Sequence, residues 1–265
     1  MGMTMLSYDF MIRAFVASGI VAIVAGSVGY FLVLRAQTFA GHALAHIAFA
    51  GATGAAFVGL APIYGVIALT VGAGAAMGLL GDKLSGRDVT IGIVLAVSLG
   101  FGILFLSLTT TNAVQATSLL FGSVLAVSPS TLATLAVLGV VTLAALAFIG
   151  RPLVFSTLQP ELAEAKGVPI RFVGTLFLAL VALAVAQSIQ IVGVLLVFTL
   201  MVGPPAAAQL LTRRLATGVA LAAILALAQA WLGITLAFYT DWPTSFWIAL
   251  LSAAVYLGAA ALKHR

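Results

Sequence analysis

The chain has 265 residues, of which 63% are hydrophobic and 6% are charged, and its mean hydropathy is +1.28. Soluble domains carry about a quarter charged residues, so this composition excludes a soluble protein and indicates a polytopic membrane protein. The net charge of +5 does not indicate nucleic-acid binding, because the basic residues lie singly or in pairs at the ends of apolar segments. The absence of cysteine excludes disulfides, a thiolate metal site and a catalytic thiol.

Apolar stretches long enough to cross a bilayer recur along the whole chain. A transmembrane helix needs about 20 apolar residues, and on this scale the sequence predicts an all-α polytopic membrane protein with about eight or nine transmembrane helices. The expected spans are 11–34, 39–60, 62–81, 89–108, 130–150, 170–188, 190–211, 216–238 and 244–262. The least regular pieces are 114–127, which is short, and 190–211, which we expect to break at Gly203-Pro204-Pro205.

The positions of the basic residues predict the orientation in the membrane. Cytoplasmic ends of membrane helices carry an excess of lysine and arginine. The positively charged ends are Arg35, Lys83–Arg87, Arg151–Arg171, Arg213–Arg214 and Lys263–Arg265. These ends alternate consistently if all are cytoplasmic, which predicts an amino terminus outside and a carboxyl terminus in the cytoplasm.

His42 and His46 are the only titratable side chains well inside an apolar segment, because the acidic and basic residues lie at or near the breaks between segments. Residues four apart lie on one face of a helix. Two imidazoles placed in this way can bind one cation. Ionisable residues inside a membrane helix are costly and mark functional sites. The alternative interpretation is a pair of polar side chains that neighbouring helices satisfy.

The stretch 151–171 is the longest polar interruption of the chain. Pro160 followed by Glu161 to Lys166 predicts a two-turn helix with proline at its first position and Gly167 as its end. The pattern suits either an amphipathic helix lying on the membrane or a docking element for a cytoplasmic partner.

Two glycine-containing features suggest either packing or a conduction path. The break at Gly203-Pro204-Pro205 is typical of a helix kinked for packing, or of a gate or hinge that lines a pathway. Gly51 and Gly54 follow the histidines and are expected to serve close helix packing, with narrowing of a path as the alternative.

Several motifs in this order and spacing resemble one family, the permeases of ATP-driven importers for zinc and manganese. The resemblance covers about residues 26–252. The motifs are Gly41-His42-Ala43-Leu44-Ala45-His46 with Gly51 behind it, Pro160–Val168, and Val192-Gly193-Val194-Leu195-Leu196-Val197-Phe198 leading to Pro204. Smaller matches are Asp88–Ile93 and Leu120–Leu125.

The resemblance implies a single transmembrane permease domain, residues 1–265, with a type II importer-like fold and a cytoplasmic coupling segment at about 151–171. It implies a permease homodimer in the bacterial cytoplasmic (inner) membrane, a separate ATP-binding-cassette ATPase, and a periplasmic or extracellular solute-binding protein. No cofactor is expected to be bound permanently, and zinc or manganese binds only in transit. The implied residues are His42 and His46 for the metal; Pro160, Glu161, Glu164, Lys166 and Gly167 for coupling to the ATPase; and Gly51, Gly193, Gly203, Pro204 and Pro205 for a gate or pathway.

The chain departs from the family pattern at His42, where that family usually has aspartate. Two nitrogen ligands suit zinc better than manganese, so zinc is the expected cargo, with manganese or iron as the alternative. An importer of a chelate or vitamin is less expected, because a bulky chelate needs no pair of bare-metal ligands. An intramembrane metalloenzyme and an ion-coupled secondary transporter are disfavoured, because the spans contain no buried acid. The sequence lacks G-x-x-x-x-G-K-[ST], so ATP hydrolysis is expected on another subunit.

Overall fold

The structure, a computed structural model, describes residues 5, 8–80, 87–108, 122 and 124–263, which are helical apart from short connections and include no strand. The long helices are α1 (Asp9–Leu34), α2 (Thr38–Phe57), α3 (Pro62–Leu80), α4 (Arg87–Leu108), α5 (Pro129–Leu158), α7 (Ile170–Leu211), α8 (Leu215–Thr240) and α9 (Thr244–Lys263). A short helix, α6 (Pro160–Ala165), follows α5, and one 3₁₀ turn spans Val124–Ala126. The prediction of an all-α membrane protein is confirmed.

The number of membrane spans is slightly smaller than predicted. Among the described residues, 7 helices are long and apolar enough to cross a membrane, whereas the sequence suggested eight or nine. Two predicted spans, 39–60 and 190–211, are not among these helices. In α2 the histidines and glycines lower the hydropathy, and the second part of α7, Leu196–Leu211, is too short. Most of the predicted piece 114–127 lies outside the described residues.

Helix α1 is the central helix of the bundle. Its most apolar window is 78% buried, whereas that of α4 is 11% buried. It packs against α5, α7 and α8. Glycines allow the close approach, since a side chain at Gly26 would collide with the Ala222 backbone and one at Gly29 with the Met201 carbonyl.

The break in α7 lies at Gly193. The backbone of Gly193 has φ 76° and ψ 167°, which is not helical. A straight helix of 42 residues would be about 63 Å long. Both ends of α7 nevertheless lie near the end of α1, because Phe177 contacts Arg35 and Gln209 donates a hydrogen bond to the Tyr30 carbonyl at 2.8 Å. The chain therefore reverses direction near Gly193, as the two predicted spans 170–188 and 190–211 require.

The predicted break at Gly203-Pro204-Pro205 is wrong, because these residues lie inside a continuous helix. Pro205 has no N–H to donate to the Met201 carbonyl one turn earlier. The Met201 carbonyl lies against the backbone of Gly29 in α1. The prolines are tolerated because a neighbouring helix covers the exposed backbone, which is the condition for proline in membrane helices.

Replacing Gly193 by alanine is expected to destabilise the fold by about 1–3 kcal/mol, because residues with a side chain rarely adopt this backbone conformation. The measurement is the thermal unfolding midpoint of the purified protein in detergent. The matched control is Gly258→Ala in α9, where an added methyl group meets no atom within 4 Å. Equal unfolding midpoints for the Gly193 variant and the wild type would show that the break does not need glycine.

Candidate metal site

His42 and His46 occupy the only opening along the middle of α2. From residue 40 to residue 53 they are the only residues that are not buried. Helix α2 packs against α3, α4 and α7, which cover the remaining positions. The spacing of four residues places both imidazoles on the uncovered side of the helix, as the sequence predicts.

The two imidazoles lie close enough to share one ion. Their ring centroids are 4.8 Å apart, with an angle of 82° between the ring planes. Histidine nitrogens bind zinc at about 2.0–2.1 Å, so two neighbouring rings can reach the same ion. The Nδ1 atom of each ring is buried and has no hydrogen-bond partner among the described residues. Buried polar atoms are rarely left unpaired, so this arrangement favours a ligand role over two histidines satisfied by neighbouring helices.

The aromatic ring of Phe198 closes one side of the pair. Its centroid is 4.9 Å from that of His42, and the rings meet at 65°. Phe198 lies in α7 after the reversal at Gly193, so the tertiary fold brings this half of α7 to the histidines. Phe198 belongs to a motif that resembles the family, but its sequence context predicts no role for it. Its helical spacing looks like ordinary core packing, so only the contact with His42 identifies it.

The described residues add no third His, Cys, Asp or Glu side chain to the pair. They contain no group of three or more His, Cys, Asp or Glu side chains that could hold a metal ion. A closed structural zinc site has four ligands. A site of two histidines leaves positions for water or for groups from another chain, and it suits an ion that binds and leaves.

The residues predicted to couple to an ATPase form an exposed surface on the short helix α6 and the turn after it. Ala163 is fully buried and holds the helix against the bundle, whereas the predicted residues Pro160, Glu161, Glu164, Lys166 and Gly167 are exposed. Two backbone bonds of 2.9 Å close the end of the helix, from the Gly167 N–H to the Glu164 carbonyl and from the Val168 N–H to the Ala163 carbonyl. This is a Schellman motif, and Gly167 adopts the φ of +78° that the motif requires.

The predicted gate residues lie in different places. Gly51 packs against the backbone of Gly65 in α3 and is buried, so its contacts serve helix packing and it does not lie beside the histidines. Gly193 forms the reversal of α7. Gly203 lies against the Ser252 hydroxyl of α9, with Pro204 and Pro205 buried in the following turn. A gating role for these residues stays a prediction.

Comparison with known proteins identifies the family. Residues 7–263 match the profile of the ABC 3 transport family. The manganese transport system membrane protein MntC of Halalkalibacterium halodurans is 30% identical over 253 residues, which cover 95% of this chain and 87% of that protein. The chelated iron transport system membrane protein YfeD of Yersinia pestis is 26% identical over 97% of this chain and 87% of its own length.

A solved structure shares the fold. PsaBC from Streptococcus pneumoniae, in complex with Fab, superposes with a TM-score of 0.87 at 25% identity, covering 96% of this chain and 92% of that chain. The predicted resemblance is thus confirmed over nearly the whole length. The chain belongs to the ABC 3 transport family, whose members are the membrane permease subunits of ATP-binding-cassette transporters.

Proposed function

We propose that this chain is the permease subunit of an ATP-driven importer of divalent transition-metal ions, with zinc as the preferred cargo. The observation that carries the proposal is the His42–His46 pair, half-buried on a stretch of helix that is otherwise buried. Ionisable residues inside membrane helices mark substrate and ion pathways, and this is the role that we propose for the pair. The manganese transport named for one relative supports the same class of cargo, whereas the name of another specifies chelated iron.

The ion would pass between two copies of the chain. Four half-buried residues of α7 recur at helical spacing, beginning with Phe198, whose ring contacts His42: Phe198, Val202, Ala206 and Gln209. We propose that they continue the surface of His42 and His46 as one half-buried strip. Histidine facing lipid would be costly, so this strip is expected to face a second permease and a watery path. The second copy would supply the missing ligands.

The choice between zinc and manganese depends on the donor atoms. Imidazole nitrogens favour zinc, whereas carboxylate and water oxygens favour manganese. The described residues place no carboxylate beside the pair, which supports zinc. The name of the Halalkalibacterium relative supports manganese as the second candidate.

Helix α6 is the proposed contact for a cytoplasmic ATPase. Its buried residue Ala163 packs against the bundle, whereas Glu161 and Glu164 are exposed. The helix lies at the end of the bundle that carries Arg35, which bonds to Thr157 just before it. That end would be cytoplasmic under the positive-inside rule. A solute-binding protein would deliver the ion at the opposite end, which suits a transit site of few ligands.

The direct test is uptake of labelled zinc and labelled manganese into proteoliposomes that contain this chain, its ATPase and its solute-binding protein. ATP-dependent zinc uptake that exceeds manganese uptake is the expected result. Vesicles lacking the ATPase are the control. Preferential manganese uptake would retain the importer and overturn the zinc preference, and absence of uptake of either ion would overturn the proposed function.

Replacing Glu164 by arginine is expected to weaken ATPase docking, because it reverses a charge in the middle of the exposed face of α6. The measurement is the amount of ATPase that co-purifies with the permease. The matched control is Asp9→Arg, the same charge reversal at the start of α1, far from α6. Wild-type recovery of the ATPase with the Glu164 variant would count against α6 as the docking element.

A further inference from the structure

We infer that Arg35 is a positioning residue that transmits movement of α6 to the histidine helix α2. The inference rests on the proposed function, in which α6 receives the ATPase and α2 holds the metal. It assigns a mechanical role to one side chain that lies in neither site.

The guanidinium of Arg35 joins three parts of the chain. Its Nη1 donates a hydrogen bond of 2.8 Å to the Thr157 hydroxyl, and its Nε donates one of 3.4 Å to the Gln37 amide oxygen. Its carbon Cζ lies 5.8 Å from the centre of the Phe177 ring in α7. The planar fork of arginine can make these contacts at once, which the single ammonium of lysine cannot.

Two of these partners lie close to the starts of α2, the proposed metal helix, and α6, the proposed docking helix. Gln37 is the residue immediately before α2, and Gly41 donates its N–H to the Gln37 carbonyl at 3.2 Å in the first turn. Thr157 lies in the last turn of α5, two residues before Gln159, the residue that precedes α6. Arg35 therefore connects the start of the metal helix to the start of the proposed docking helix.

Backbone hydrogen bonds fix the short turn that connects Arg35 to α2. The Gln37 N–H bonds to the Leu32 carbonyl at 3.0 Å, and the Ala36 N–H bonds to the Val33 carbonyl at 3.0 Å. Ala36 has φ +53°, which marks a tight turn. Because the backbone of the α1–α2 turn is closed by its own hydrogen bonds, movement at Arg35 is expected to shift α2 as a unit.

The connection between Thr157 and α6 is equally short. The Thr157 hydroxyl donates to the Leu153 carbonyl at 2.6 Å, so the oxygen that accepts from Arg35 is itself held by the helix. The Gln159 N–H bonds to the Phe155 carbonyl at 3.0 Å, and the Ala163 N–H bonds to the Gln159 carbonyl at 2.9 Å. Displacement of α6 is therefore expected to move the end of α5 and, through the hydrogen bond to Thr157, the guanidinium of Arg35.

The variant that tests this role is Thr157→Val, which removes the hydroxyl and keeps the shape of the side chain. Its matched control is Ser156→Ala on the same turn, because the Ser156 hydroxyl also donates to the Leu153 carbonyl, at 3.0 Å, and makes no bond to Arg35. In the full complex, ATPase recovery and ATP hydrolysis are expected to stay close to wild type in both variants. The amount of zinc transported for each ATP hydrolysed is expected to fall roughly fivefold or more in Thr157→Val alone, the lower range of coupling between sites. An unchanged ratio in Thr157→Val, or an equal fall in both variants, would overturn the role of Arg35.

A second measurement does not depend on metal transport. The chain has no cysteine, so Phe39→Cys introduces a single reactive thiol in the first turn of α2, at a position that is 40% exposed. ATP is expected to change the alkylation rate of this thiol in the complex, and Thr157→Val is expected to remove the change. An alkylation rate that ATP does not alter, or that ATP alters equally with Thr157→Val, would contradict the inference. Failure of metal uptake with an ATP-dependent alkylation rate would overturn the proposed cargo and leave the role of Arg35 supported.

Discussion

Replacing His46 by alanine is expected to abolish ATP-dependent zinc uptake while leaving the ATPase bound. The change removes one of two imidazoles whose ring centroids lie 4.8 Å apart, so only His42 remains to bind the ion. Losing an outer-shell partner of a metal ligand costs roughly 10–100-fold in affinity, and losing one of two ligands is expected to cost more. The ATPase should remain bound, because α6 lies outside α2 and its exposed face is untouched. The measurement is uptake of labelled zinc into proteoliposomes that contain the full complex, together with recovery of the ATPase.

The matched control for His46→Ala is Thr53→Ala in the same helix. Thr53 is a buried polar residue whose hydroxyl bonds to the carbonyls of Phe49 and Ala50 within its own helix. Its loss should leave uptake near the wild-type rate. Wild-type uptake by His46→Ala would make the histidines packing residues and would remove the site from the transport path.

Replacing His42 by aspartate is expected to shift the metal preference from zinc towards manganese. The substitution exchanges a nitrogen ligand for a carboxylate oxygen, which suits the harder ion. A shift of about tenfold in the zinc-to-manganese uptake ratio corresponds to about 1.4 kcal/mol of differential binding. The measurement is competitive uptake of the two labelled ions from a mixture, by the wild-type and variant complexes side by side.

His42→Asn separates the chemistry of aspartate from its size. Asparagine has nearly the shape of aspartate without its negative charge, so it should lose zinc uptake without gaining manganese uptake. If Asp and Asn give the same ratio, the loss of the imidazole and its contact with Phe198 explains the change. If the aspartate variant keeps the zinc preference of the wild type, the ions are not selected at this position.

The helices of the membrane domain could be predicted closely because each is a local consequence of the bilayer. Without water to bond the backbone, an apolar run must form a helix, and polar residues mark its ends. The predicted span 62–81 corresponds to Pro62–Leu80, and 89–108 corresponds to Arg87–Leu108. The short helix after Pro160 could be predicted for a different local reason, because proline at its start and Gly167 at its end act within one or two turns.

The predicted spans 170–188 and 190–211 placed the reversal of α7 close to Gly193, but the local sequence also predicted a second break that the structure does not contain. Gly203-Pro204-Pro205 is the stronger local signal, since proline cannot donate a backbone hydrogen bond. The helix nevertheless continues there, with Gly29 of α1 covering the Met201 carbonyl. The chain reverses at Gly193 instead, close to the predicted boundary between the spans 170–188 and 190–211. Packing against neighbouring helices therefore decides that the helix is interrupted at Gly193 and continues through Gly203-Pro204-Pro205.

The sequence by itself determined the class of the protein, its helices, its family and the pair of histidines. These follow from apolar runs, from residue types and from a spacing of four, which act along the chain. Only the tertiary structure decided that Phe198 faces His42, that Gly65 is the residue against which Gly51 packs, and that Arg35 reaches Thr157. Those contacts join residues far apart in sequence, and they exist because each helix must cover a particular face of another.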